Sequence, residues 1–230
     1  MILLTGDHSV PGQSACCSAS QPTVAPVAPP LGAEDQARAD LYALAARLLL
    51  APPDAALLAD LAAADPILGS HDERPLEDAW ERLVLAAGVV DAAAVAEEFD
   101  GLFVSLGTPP VNPYGSLYLS GFLNDTPLAR LRADLAALGL ARVAGVAEFE
   151  DHLGALCETM RVLILSGRPL ARQRQLFDAH VAPWFERGLA DIGRGPGANF
   201  YRVVADFVAA FLTIEAQAFA VDGTADLALA

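Results

Sequence analysis

The placement of proline constrains this chain more than any other feature, because almost everything between the prolines reads as helix. Pro52 and Pro53, then Pro109, Pro110 and Pro113, then Pro169 and Pro183 each lack an amide donor and restrict the residue before them. A helix stops or breaks at every one of these points. Between them apolar residues recur at helical spacing, nothing alternates with period two for long enough to make a sheet, and no repeat of fixed period occurs. The expectation is an all-α protein, a single helical bundle of eight or more helices.

Helices are predicted over about 34–51, 54–64, 75–87, 91–106, 126–138, 150–165, 170–190 and 198–220, with a kink or break at Pro183 in the seventh. The last carries Phe200, Val203, Val204, Phe207, Phe211 and Ile214 in i, i+3, i+4, i+7 order. Gly139 suits the end of the fifth helix, and the Gly-rich piece 193–197 reads as an interhelical turn. Residues 1–33 are rich in Pro, Ser, Ala and Gly and hold nothing able to bury a core, so they read as a disordered tail. Residues 34–230 then form one all-helical domain.

Charge removes several classes of function. The net charge is −15, from 29 acidic against 14 basic residues, which leaves no cationic surface to displace counterions from nucleic acid. Every basic residue is Arg. Without Lys there is neither a P-loop nor Schiff-base chemistry. The hydrophobic fraction of 54% owes much to alanine, a strong helix former that buries little area, and no uninterrupted apolar run reaches the length of a bilayer span. Cys16 and Cys17 are adjacent and Cys157 sits in an apolar helix pattern, so the cysteines form no disulfide framework and fit a reducing cytoplasm.

The segment from Leu106 to Leu119, LGTPPVNPYGSLYL, is the loop around which the helices are organised. It ends in Tyr114, Ser116, Leu117 and Tyr118, two hydroxyl-tipped rings at a spacing that lands on one side of a short helix. Such rings either plug the core or form a recognition surface on a loop held by a rigid scaffold. The four histidines, at 8, 71, 152 and 180, share no metal-ligand spacing, and no nucleophile with a base is complete. Asp151 and His152 are the most interesting ionisable pair. Asp151 falls in the first turn of its helix, where a carboxylate caps free amides, while His152 lies at the margin of the apolar stripe and His180 squarely on an apolar face.

No basic residue falls between Arg82 and Arg130 or between Arg142 and Arg161, whereas Asp91, Glu97, Glu98, Asp100 and Asp125 occupy the first interval and Glu148, Glu150, Asp151 and Glu158 the second. If these two acidic stretches converge, they form a negative, aromatic-lined groove suited to a peptide bearing Arg. Otherwise they solvate helix faces.

Glu98-Phe99-Asp100-Gly101-Leu102-Phe103, followed after the loop by Pro113-Tyr114-Gly115-Ser116-Leu117-Tyr118, then Glu150-Asp151-His152-Leu153, then Phe177-Asp178-Ala179-His180-Val181-Ala182-Pro183-Trp184 and Phe200-Tyr201-Arg202, stand in the order and at the intervals of a known family. The chain resembles the TorD/DmsD family of cytoplasmic chaperones for molybdenum-containing oxidoreductases, also called redox enzyme maturation proteins. The resemblance implies an all-helical chaperone with no catalytic activity and no cofactor or metal. Its partner would be a molybdenum-containing oxidoreductase precursor, bound at its twin-arginine leader peptide and its body until cofactor insertion is complete. It further implies no nucleic acid, no membrane insertion, and a monomer or helix-swapped dimer. Leu102, Phe103, Pro113, Tyr114, Ser116, Tyr118, Asp151 and His152 match positions implicated in leader binding, with Asp151 the acid expected to meet an arginine; His180 and Trp184 match a motif expected to be structural. Gly115 stands where the family often has an acidic residue, and Ser120 to Asp125 lacks the family's more charged segment, which leaves the client open. The alternatives are a hydrolase or nucleotide-binding protein using Asp151 and His152, or a general helical adaptor.

Overall fold

The computed structural model describes residues 2–4, 31–67, 74–104, 107–142 and 148–228, with side chains described in those of them between 31 and 221. Ten α-helices run through them: α1 Ala33–Leu50, α2 Ala55–Ala62, α3 Pro75–Ala87, α4 Ala92–Phe99, α5 Gly115–Ser120, α6 Thr126–Ala137, α7 Leu153–Leu165, α8 Leu170–His180, α9 Phe185–Arg194 and α10 Phe200–Ala228. The all-α expectation holds.

Short polar side chains start several helices at the positions where amides would otherwise lack partners. Asp54 accepts from the Leu57 amide, Asp91 from Ala93 and Ala94, and Asp125 from Thr126. Gly139, at φ 70°, follows α6 in the left-handed conformation that a Cβ disfavours.

α10 is the centre of the bundle. It packs on α3 and α9 and touches α1, α4 and α8, while α1 lies along α7. Phe200, Tyr201, Val204, Phe207, Val208 and Phe211 of α10 are all buried. Each such side chain contributes roughly 1.5–3 kcal/mol by leaving water. Over Phe200–Val221 this helix is also long and apolar enough to cross a membrane by length and composition; here its apolar face forms the core. α1 approaches α7 closely because Gly154 has no side chain: a Cβ there would lie 2.8 Å from Leu50 Cγ and 3.1 Å from Leu49 Cβ.

Several boundaries differ from the sequence reading, two of them for a local reason. α4 ends at Phe99 and gives way to a π-helical turn over Asp100–Val104, which re-aims the residues after it. α7 begins at Leu153 and not near Glu150, because the backbone before it pairs with the proline loop: the Gly115 amide donates to the Asp151 carbonyl (2.9 Å) and the Leu153 amide to the Pro113 carbonyl (2.9 Å). The predicted helix 170–190 is broken across Val181–Trp184 around Pro183, as expected at that proline, and α9 and α10 run on past their predicted ends to Arg194 and Ala228.

A small sheet was not foreseen. β1 Ile2–Leu4 pairs antiparallel with β2 Leu140–Arg142, so the first residues of the expected tail carry a strand. The rest of that expectation, residues 5–30, lies outside the described residues, as do Cys16, Cys17, His8 and His71.

One polar cluster ties three helices together inside the bundle. Arg38 of α1 donates from Nε and Nη2 to the two oxygens of Glu215 on α10 (2.8 Å each), Tyr42 donates to Glu215 Oε2 (3.0 Å), and Arg38 Nη2 also reaches Gln173 of α8 (3.1 Å). Glu215 is 3% exposed, so this pairing is what permits its charge inside.

Candidate functional site

The proline loop and the entry to α7 meet, one of the two arrangements that the acidic pattern left open. Tyr114 and His152 form an isolated antiparallel bridge, and the two backbone bonds just described hold Pro113–Gly115 against Asp151–Leu153. Beside this junction is a cleft of about 420 Å³. Leu49 and Leu50 of α1 form one side of it, and Phe99 with Phe103 and Val104 of the π turn another. Pro113, Tyr114, Glu148, Phe149 and His152 close it. Val104 and Leu123, at 60% and 45% exposure, stand on its rim.

Only some of the expected residues face this cleft. Phe103, Pro113, Tyr114 and His152 line it. Leu102 is fully buried and acts on the cleft by anchoring the π turn. Ser116 is also fully buried: its amide donates to Asp151 Oδ2 (2.8 Å) and its hydroxyl accepts from the Asn124 amide (3.2 Å). Tyr118 turns away from Tyr114. It stacks on Trp184 with centroids 5.2 Å apart and an interplanar angle of 19°, and its hydroxyl donates to Asp191 (2.9 Å). The two tyrosines part because Tyr114 precedes α5 with extended backbone (φ −114°, ψ 128°), so the helical step does not relate them.

The cap of α7 expected of Asp151 falls to His152. His152 caps α7, accepting the Gly154 amide at Nδ1 (3.1 Å), whereas Asp151 lies before that helix and bonds to the start of α5. Asp151 is 4% exposed, and by accepting the Ser116 amide it holds the loop in position. Its Oδ1 is buried with no hydrogen-bond partner. The two side chains do not bond to each other, so they are not arranged as a base with its orienting acid. Burial pushes the His152 imidazole down to about 4, against the pull of Glu148 and Asp151, so it is neutral at physiological pH.

Most acids of the two stretches are occupied within the fold. Glu150 pairs with Arg132 (2.9 Å); burial raises its carboxyl, but that arginine outweighs it and holds the group below the ordinary range. Glu158 pairs with Arg161 (2.7 Å). Glu98 caps the start of α10, with Oε1 accepting from Asn199 (2.8 Å) and Tyr201 (2.7 Å) and Oε2 from Phe200 (3.1 Å). Glu148 is different. It is half-buried on the cleft wall and accepts a hydrogen bond at Oε2 from the Tyr114 hydroxyl. Burial and this contact raise the Tyr114 phenol above its ordinary range, so it remains a donor. No sequence pattern singled Glu148 out from its acidic neighbours.

His180 and Trp184 are structural as expected: His180 Nε2 meets Asp134 Oδ2 at 2.7 Å and the Trp184 indole donates to the His180 carbonyl at 2.7 Å.

Comparison with known proteins matches residues 70–189, more than half of the chain, to the family described as nitrate reductase delta subunit. The chain belongs to the nitrate reductase delta subunit family. This agrees with the resemblance to TorD/DmsD-like redox enzyme maturation proteins. Among solved structures, the chain is similar to a putative redox enzyme maturation protein from Archaeoglobus fulgidus, at 19% identity and TM-score 0.48, covering 77% of this chain and 92% of that one. No curated protein matches. Within the family match lie the π turn, the proline loop, Glu148 and the Asp151–His152 entry to α7, so the cleft is built largely from family positions, with Leu49 and Leu50 contributed from outside the match.

Proposed function

We propose that this family member is a cytoplasmic, system-specific chaperone that receives the twin-arginine leader of a molybdenum-containing oxidoreductase precursor in the Tyr114–His152 cleft, and holds the precursor for cofactor insertion before export. The observation that supports this reading is the composition of the cleft: apolar walls from Phe99, Phe103 and Phe149, an apolar rim at Val104 and Leu123, and the carboxylate of Glu148. A leader that offers guanidinium groups followed by an apolar stretch needs such a combination. Ser116, Asp151 and Leu102 support the cleft without lining it, and Tyr118 belongs to the adjoining α5–α9 surface.

Calorimetric titration of the client's leader peptide tests the reading. Wild type is expected to bind it and Phe103→Ala to bind it at least about tenfold more weakly, as loss of a well-placed aromatic contact at an interface implies. A leader that fails to bind wild type, or that binds Phe103→Ala equally well, refutes it.

A further inference from the structure

On the reading that the cleft receives the leader, we infer that it takes a single guanidinium, on Glu148, and that the Tyr114 hydroxyl holds this place while no peptide is bound. Of the carboxylates near the junction, Glu150 is paired with Arg132 and Asp151 is buried against the Ser116 amide, which leaves Glu148 as the carboxylate lining the cleft. Among the described residues no arginine forms an ion pair with it, and its Oε1 carries no hydrogen bond. A guanidinium can therefore bond to both oxygens, displacing the phenol from Oε2. That exchange replaces one bond from a neutral phenol to the carboxylate with two from a cation, adding a second charge-assisted bond and the attraction between opposite charges.

Displacement leaves the tyrosine ring where it is. The ring is held edge-on by His152 (centroids 5.0 Å apart, interplanar angle 76°) and by Phe149 (6.3 Å, 67°), contacts that do not depend on the hydroxyl. Tyr114 is half-buried, so its freed hydroxyl meets water. Only one of two adjacent arginines reaches Glu148, because successive side chains of an extended peptide point to opposite faces. The second is directed away from the cleft.

Three leader peptides, unaltered and with either arginine replaced by glutamine, titrated into wild type, Glu148→Gln and Tyr114→Phe, test this. In wild type one replacement is expected to weaken binding about tenfold and the other less than about twofold. Glu148→Gln should bind the unaltered leader about tenfold more weakly and cease to distinguish the two replacements. Tyr114→Phe keeps the ring and removes the competing donor, so it should bind the unaltered leader severalfold more tightly. Equal losses for both arginines, wild-type affinity in a folded Glu148→Gln protein, or weaker binding by Tyr114→Phe overturns the assignment while leader binding stands. A leader that does not bind wild type overturns the proposed function and this assignment with it.

Discussion

Replacing Glu98 with alanine should cost about 2 kcal/mol of folding free energy, which makes this residue a structural clamp within a motif that reads as a recognition element. Its carboxylate accepts from three successive amides, those of Asn199, Phe200 and Tyr201 at 2.8, 3.1 and 2.7 Å, and so provides the start of α10 with its partners from another helix. Loss of a helix-capping side chain costs about 0.5–2 kcal/mol, and loss of a negative charge beside a helix N-terminus about 0.3–1 kcal/mol more. For a chain of this length, about 2 kcal/mol lowers the thermal midpoint by about 4–8 °C. Glu98→Gln keeps one acceptor oxygen but turns an amide group toward the backbone donors, so it should fall between wild type and alanine. Urea unfolding followed by circular dichroism measures all three, with Glu97→Ala as control because Glu97 is exposed and makes no such contact. A Glu98→Ala protein within about 0.5 kcal/mol of wild type would refute the reasoning, since that is the range of an ordinary surface substitution.

Protonation of His152 should weaken the fold in acid: its pKa is lowered from an ordinary 6.5 to about 4, so the unfolded chain binds the proton first, and stability present above about pH 6.5 is lost toward pH 4, by up to about 3 kcal/mol. His152→Asn, which retains an N-cap acceptor, should flatten that slope in urea midpoints measured across this window. Gly154→Ala should destabilise by about 1–3 kcal/mol in the same assay, because the added methyl enters the α1–α7 contact at Leu49 and Leu50. Arg38→Met should cost about 3–5 kcal/mol by leaving Glu215 buried without its cation, and Glu215→Leu added to it should restore part of the loss in a double-mutant cycle.

The sequence by itself determined the helical class, the breaks at Pro52, Pro169 and Pro183, and the approximate faces that the helices bury. Those properties are local, since a missing proline amide or an i, i+3, i+4 stripe acts within a few residues of itself. It also marked the proline loop and the Asp151–His152 segment as the two places to look. Side-chain roles at those places were another matter. The sequence placed Asp151 as cap and ligand, Tyr114 with Tyr118, and Glu98 in an acidic stretch; each assignment assumed a helix that continued or a partner nearby in the chain. Only the tertiary structure decided that the backbone from Asp151 to Leu153 pairs with Pro113 to Gly115, which delays α7, passes its cap to His152 and buries Asp151 under α5. It likewise brought Glu98 to amides about a hundred positions away and left Glu148 beside Tyr114. A carboxylate takes whichever donors the packed helices bring to it, and that choice is set by contacts between distant segments, which no local pattern encodes.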